Sequence, residues 1–305
     1  MSEARPMTGM VAAASSGAAD ASYFARAERK EARSFALLAV PGLVVIGLLL
    51  IVPVGWLFVL SFIGKDGGVS LENYARLAQP VYVITFVTTF QIAGIVTVGS
   101  ILLGYPVAYL LSQLSPRAAA ICMIFVILPF WTSVLVRTYA WLVLLQRRGL
   151  INSWLVSLGI INEPIPLVNN FIGTTIGMLH VLLPFMILPL YSSMKTIDTD
   201  YLKAASSCGA SPMRAFWDVF FPLSRPGLFA GTVLVFILSL GFYLTPALLG
   251  GGRVSMWSMQ IATNVSTYSN WGAASALGVL LLVVTIAILA ALNKVFRVDK
   301  LYGGR

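Results

Sequence analysis

Six stretches of this chain are too long and too apolar to be solvated by water, and that pattern limits the fold more than any motif does. They run over residues 35–62, 81–111, 118–145, 171–194, 228–249 and 273–295. About 20 residues of helix cross the roughly 30 Å of bilayer hydrocarbon, where a helix satisfies all of its own backbone groups. With short polar segments rich in Pro, Gly and Asn between them, the runs predict an all-α polytopic membrane protein with about six transmembrane helices. An apolar share of 58% agrees, because a water-soluble domain holds less.

Charge sets the expected orientation. The chain carries 20 Lys and Arg against 11 Asp and Glu, a net charge of +9. With the N-terminus inside, Arg26, Arg29, Lys30, Arg33, Arg117, Lys195, Lys203, Arg214, Arg225, Lys294, Arg297 and Lys300 all fall on the cytoplasmic side, as the positive-inside bias requires. Both termini are therefore expected in the cytoplasm. Residues 1–33 lack the early apolar core of a removable signal and read as a mobile tail. Residues 34–296 then form the transmembrane domain, with a polar segment at 195–225, and residues 297–305 a C-terminal tail. Topology alone explains the positive charge, so lipid is an expected partner and nucleic acid is not. Cys122 and Cys208 fall near the inner face, where a disulfide is not expected, and a metal site lacks ligands.

Every Asp and Glu lies outside the six runs. Carriers driven by proton or sodium gradients usually keep an intramembrane acid or a broken-helix ion site, so this chain reads as one powered from elsewhere. The phosphate-loop pattern G-x-x-x-x-G-K-[ST], H-E-x-x-H and G-x-S-x-G are all missing, and there is a single histidine. Nucleotide hydrolysis and the common metal or serine chemistries have no residues to run on, so no catalytic residue is expected. A self-contained channel or carrier, and a purely structural subunit, remain rival readings here.

The segment 195–225 has the signals of two short helices with a break between them. Asp198 and Thr199 can cap the first, Gly209 permits the left-handed turn that ends it, and Ser211 caps the second with Pro212 at its first position. The small Ala204, Ala205 and Gly209 allow another backbone to come close, and Phe216 offers an apolar knob. That layout suits a helix presented to a groove. In their register Ala204, Ala205, Gly209, Ala210, Phe216 and Pro222 resemble the "EAA" loop of binding-protein-dependent ABC importer permeases, with Lys203 in place of the usual acid. Lys203 can pair with Asp200 three residues earlier or with an acid on a partner.

The resemblance covers residues 35–296 and is strongest to the polyamine (spermidine/putrescine) permease branch. It is carried by the strings Leu128-Pro129-Phe130-Trp131-Thr132-Ser133, Arg137-Thr138-Tyr139, Gly149-Leu150-Ile151-Asn152, Leu182-Leu183-Pro184-Phe185, Phe242-Tyr243-Leu244-Thr245-Pro246 and Trp271-Gly272-Ala273-Ala274. It implies the type I ABC importer permease fold in a bacterial inner membrane and the import of a polyamine such as spermidine or putrescine or, as in permeases that resemble that branch, of another small organic solute. The implied partners are a periplasmic substrate-binding protein, a second homologous permease and a cytoplasmic ATPase dimer. ATP-Mg would be used by that ATPase, with no cofactor on this chain. Lys203, Ala204, Ala205, Gly209, Ala210, Ser211, Phe216 and Pro222 would then form the ATPase-coupling segment.

Candidates for the substrate path are Trp131, Arg137, Tyr139, Phe185, Tyr243 and Thr245. Aromatic faces attract ammonium groups by about 0.5–2 kcal/mol each without a buried charge, although an aromatic belt at the outer interface explains some of these residues equally well. Arg137 sits about 27 Å beyond Ala119 on a straight helix, towards the outer face. It either snorkels to headgroups or faces the cavity, where a fixed cation suits a cationic solute poorly. His180 is expected to bond a neighbouring helix. Pro106, Pro129, Pro184 and Pro189 remove backbone donors within apolar runs and are candidate kinks.

Overall fold

Backbone groups that must satisfy themselves fold here into helix. The computed structural model describes residues 39–64 and 66–296, so the two tails expected at 1–33 and 297–305 lie outside the described residues. The chain divides into two units, Met1–Val59 and Leu60–Arg305. In the first, the described residues belong to helix α1, Ala39–Ser61, long and apolar enough to cross a bilayer.

The second unit begins with the short α2, Glu72–Arg76, and continues into α3, Pro80–Gln113. Next come α4, Pro116–Ile127, α5, Val134–Leu144, α6, Leu150–Ser157, and α7, Phe171–Lys195. After α8, Thr199–Ser207, and α9, Pro212–Ala215, follow α10, Phe221–Leu240, α11, Leu244–Leu249, α12, Trp257–Ser266, and α13, Trp271–Phe296. Among the described residues five helical stretches could span a membrane, or six if the bent pair α4 and α5 counts as one.

α3, α7 and α10 pack on one another, and the buried Met178, Leu182, Met186 and Leu190 of α7 join Ile92, Val96 and Val235 in one apolar cluster. Close approach of α10 requires glycine. A Cβ at Gly227 would stand 2.4 Å from the Ser193 Cβ and 2.8 Å from the Pro189 carbonyl, and one at Gly231 would meet the Met186 sulfur at 2.8 Å. Small residues four apart let two membrane helices pack backbone to backbone. Two buried threonines of α3 are satisfied within their own helix: Thr89 and Thr97 donate to the Thr85 and Ala93 carbonyls at 2.8 and 2.7 Å.

Three expectations need correction. The run 118–145 is not one straight helix, because the stretches Pro116–Trp131 and Val134–Leu144 meet at 97°. Pro129 has no N–H to continue the ladder, residues Leu128–Trp131 tighten into a 3-10 turn, and Thr132 returns both its N–H (3.2 Å) and its hydroxyl (2.7 Å) to the Pro129 carbonyl. The run 228–249 is displaced. Its helix starts upstream, is continuous from Pro212 to Leu240, and stops at Gly241. Pro246 cannot donate to the Phe242 carbonyl, which instead accepts from the Ser258 hydroxyl at 2.6 Å. Residues 250–272, expected to connect helices, contain α12. Its Trp257 is buried, with the backbone N–H on the Thr89 hydroxyl (2.8 Å) and the indole N–H on the Leu277 carbonyl (2.9 Å).

Candidate functional site

The segment 195–225 is built from end signals that close on themselves. The Asp198 side chain accepts from the Asp200 N–H at 2.9 Å and starts α8. At the other end Gly209 has φ +83, its N–H bonds the Ser206 carbonyl at 2.9 Å, and the Ala210 N–H bonds the Ala205 carbonyl at 3.1 Å. These two bonds make a Schellman motif, which uses the last free carbonyls of the helix. Ser211 then caps the next helix through the Arg214 N–H at 3.4 Å, with Pro212 at its first position.

The second of the two short helices expected here is instead the start of the long one. α9 runs through a π-helical turn, Phe216–Phe220, into α10. In that turn the Phe221 N–H reaches back to the Phe216 carbonyl. Pro222 lacks an N–H and its ring crowds the carbonyl four residues earlier, and the wider turn relieves that crowding. Pro222 is half-buried within this continuous helix.

α8 presents an exposed face that includes Lys203, Ala204 and Gly209, while Ala205 and Ala210 are half-buried and Ser211 is exposed. Its inner side is held by Leu202, which packs on the main cluster together with Ile197. Lys203 pairs with Asp200 at 2.7 Å, both side chains about three-quarters exposed (74% and 75%). Hydrogen bonding and charge from Asp200 raise the Lys203 pKa above its ordinary value. Phe216 is not an outward knob. Helical continuity turns it onto α3, where its ring lies 5.4 Å from Tyr109 and 6.2 Å from Tyr105.

Sequence reasoning missed this aromatic seam. Tyr105 and Tyr109 stand one turn apart on α3, and the Tyr105 hydroxyl is 2.8 Å from that of the buried Ser224. Ser224 donates to the Phe221 carbonyl at 2.9 Å, so Tyr105 is the donor between them. With Pro106, Ser211, Pro212, Met213 and Phe216 these tyrosines line a cleft of about 680 Å³ beside the start of the long helix. The i, i+4 tyrosine pair was the available signal, and it reads equally as ordinary core.

The six path candidates do not converge on one cavity. Trp131 is 88% exposed beside an apolar cleft with Met123, Ile124 and Leu128, and Tyr139 and Tyr243 are exposed at 56% and 44%. Phe185 is half-buried against Phe130, ring centroids 5.0 Å apart. Thr245 is fully buried, its hydroxyl 3.2 Å from that of Thr138.

The 97° break means that rise along a straight helix does not measure the depth of Arg137. Arg137 is half-buried, and its Nε and Nη1 are enclosed with no acceptor among the described residues. His180 does not bond a neighbouring helix through Nδ1, which is enclosed and unpartnered; its ring packs edge-on to Trp141 at 5.5 Å. Asn152, in contrast, is fully used. Its Nδ2 donates to the Gln146 and Ile165 carbonyls at 2.9 and 3.0 Å, and its Oδ1 accepts from the Ile165 N–H at 3.0 Å. Cys122 and Cys208 are free and exposed. Among the described residues no three His, Cys, Asp or Glu side chains converge.

Comparisons with known proteins converge on transport. Residues 100–298 match the family described as "Binding-protein-dependent transport system inner membrane component". The spermidine/putrescine transport system permease protein PotB of Haemophilus influenzae is 36% identical over 225 residues, covering 72% of this chain and 79% of that protein. The protein of the same name in Escherichia coli K12 is 33% identical over 215 residues, 70% of this chain and 78% of that one. A chain in the crystal structure of a bacterial alginate ABC transporter, in complex with an alginate pentasaccharide-bound periplasmic protein, superposes with a TM-score of 0.68 at 16% identity. That match covers 86% of this chain and 94% of the other, and it carries the fold alone.

Proposed function

Because this chain belongs to the family of binding-protein-dependent transport system inner membrane components, we propose that it forms half of the path of an ATP-driven importer for a polyamine such as spermidine or putrescine. In this reading a periplasmic binding protein delivers the solute and a second, homologous permease completes the path. A cytoplasmic ATPase dimer, which binds ATP-Mg, docks on α8. Both termini and α8 lie in the cytoplasm, consistent with Lys195, Lys203, Arg214 and Arg225 around that segment.

The observation that carries the coupling role is the unbroken linkage from α8 into the bundle. The Schellman turn at Gly209 leads directly to Ser211 and Pro212, which begin one helix that continues to Leu240. That helix packs on α7 through Gly227 and Gly231 and on α3 through Tyr105 and Ser224. A push on α8 by a closing ATPase therefore reaches three membrane helices through packed backbone rather than through a slack loop. Packed interfaces shift between discrete arrangements, which suits alternating access.

Cation recognition falls to exposed aromatic faces at Trp131, Tyr139 and Tyr243, each able to attract an ammonium group by about 0.5–2 kcal/mol. Reconstitution tests the reading. Liposomes holding this chain with its co-purified permease and ATPase should take up labelled spermidine or putrescine only when ATP and the binding protein are supplied. Uptake by the chain alone, driven by an ion gradient and indifferent to ATP, would refute it.

A further inference from the structure

Gln146 and Arg147 from the loop after α5, and Leu167, Val168 and Asn169 from the loop before α7, line with Leu142 a pocket of about 360 Å³. It lies at the opposite end of α7 from α8. Its floor is apolar, with Leu167 buried and Leu142 and Val168 half-buried, and the exposed Gln146, Arg147 and Asn169 form a polar rim. These three side chains are uncommitted. Among the described residues the ion pairs join Lys203 to Asp200 and Arg214 to Asp218, and the side-chain hydrogen bonds of these loops are made by Asn152, Ser153, Ser157 and Asn170 instead.

The backbone beneath the rim is fixed. Asn152 bonds the Gln146 carbonyl and both backbone groups of Ile165, and Asn170 donates to the Pro166 carbonyl and accepts from the Gly173 N–H. Asn169 sits in the left-handed region at φ +58, and its side chain abuts Gly251, where a Cβ would overlap it. A held backbone that carries free donors is preorganised for a ligand. Charge gives the ligand's class. Residues 145–170 and 241–270 carry Arg147, Arg148 and Arg253 against Glu163 alone. On the proposed orientation these loops face the periplasm, where the positive-inside bias works against arginine, so topology does not account for them. They repel a polyamine and attract an anion. The planar fork of a guanidinium matches a carboxylate, and the Gln146 and Asn169 amides can each add a donor.

We propose, on the reading that a periplasmic binding protein delivers the solute, that this pocket seats an acidic side chain of that binding protein, an Asp or Glu on the surface it turns to the membrane. Arg147 is the counter-ion, Gln146 and Asn169 are flanking donors, and the apolar floor takes the aliphatic part of the inserted side chain. Arg148 and Arg253 stand on the same loops and add to the field that draws an acidic surface in. The pocket then serves docking, and the cationic solute enters elsewhere.

The test uses the intact transporter, purified with its second permease and ATPase, reconstituted in liposomes and titrated with purified binding protein. Arg147→Glu should raise the half-saturating concentration of binding protein by about tenfold or more, and one Asp→Lys or Glu→Lys exchange on the binding protein should bring it back to within about threefold. Asn169→Asp keeps the left-handed backbone, which Asp tolerates, and places a rival carboxylate in the pocket; a rise of about three- to tenfold is expected even if Arg147→Glu assembles poorly. Added salt should weaken the wild type more than Arg147→Gln. Four results overturn the proposal: both variants within about twofold of wild type in that titration; an Arg147→Glu defect that no single exchange on the binding protein repairs; a defect in the half-saturating concentration of solute rather than of binding protein, which assigns the pocket to the path; or a defect that follows the anionic lipid content of the liposomes, which assigns it to a lipid phosphate. Wild-type uptake that needs no binding protein refutes the delivery reading itself, and does so before any variant is made.

Discussion

At the residue scale, Gly209 shows how backbone and space can be separated. A Cβ there would meet nothing within 4 Å, so a side chain has room, but φ is +83. The obstacle is conformational, costing an L-residue about 1–2 kcal/mol and more for a β-branched one. Gly209→Val should therefore cut uptake by about tenfold or more while leaving the amount in the membrane unchanged, and Gly209→Asn should keep much of the activity because Asn tolerates this region. Immunoblots of membranes beside uptake assays check both.

Lys203 makes the opposite case, an exposed pair of little energetic weight. Asp200 raises its pKa, so the charged amine is fully favoured below the ordinary lysine value and the effect is lost only as pH rises through the still higher folded value. Between roughly pH 6 and 9 the Lys203 amine therefore stays charged, and Lys203→Gln should leave the shape of the uptake profile over that range unchanged. Tyr243→Ala should raise the half-saturating solute concentration by about 2- to 30-fold, the equivalent of one lost cation–π contact.

At the element scale, the long helix that begins at Pro212 carries the coupling. Where it crosses α7, Gly227 stands against the Ser193 Cβ and the Pro189 carbonyl, and the latter cannot move without moving α7. Gly227→Leu should push the helices apart, costing about 1–3 kcal/mol, visible as a lower unfolding temperature in detergent and as lost uptake. Tyr105→Phe is milder, because Ser224 keeps its bond to the Phe221 carbonyl and only the donor from α3 is lost. About 0.5–1.5 kcal/mol is expected on the same thermal assay. The broken span combines a proline with a threonine that closes the turn: Thr132 donates to the Pro129 carbonyl where the two stretches meet at 97°, while α3 runs on through Pro106 and α7 through Pro184 and Pro189.

At the scale of the whole molecule, much of the apolar surface of unit two has no internal partner, including Leu102, Leu103, Ile124, Phe125 and Val136. In a membrane chain that surface is met by lipid and by other subunits. Gentle extraction should therefore bring down a phosphate-loop ATPase and a second permease with this chain, identified by mass spectrometry, and ATP hydrolysis by that sample should rise with the binding protein and solute. The chain alone, inert towards ATP after crosslinking through the exposed Cys208, would favour a self-contained carrier.

Much of this was legible without coordinates. Apolar length predicted the spans because backbone satisfaction in hydrocarbon has few solutions, and Asp198, Gly209, Ser211 and Pro212 predicted both ends of α8 and the start of α9 because capping is a local reaction of a residue with its own neighbours. The register of Ala204, Ala205, Gly209, Ala210, Phe216 and Pro222, together with the strings along residues 35–296, carried the resemblance to the family that residues 100–298 match. What remained open depended on contacts between residues far apart in the chain. Whether Pro129 or Pro184 would break its helix, whether Phe216 would face out or onto Tyr109, and whether Arg137 would find an acceptor were decided by packing among α3, α5, α7 and α10. Local signals state which conformations a segment can adopt, and only the neighbours across the fold determine which of its faces are filled and which polar atoms are left to a partner.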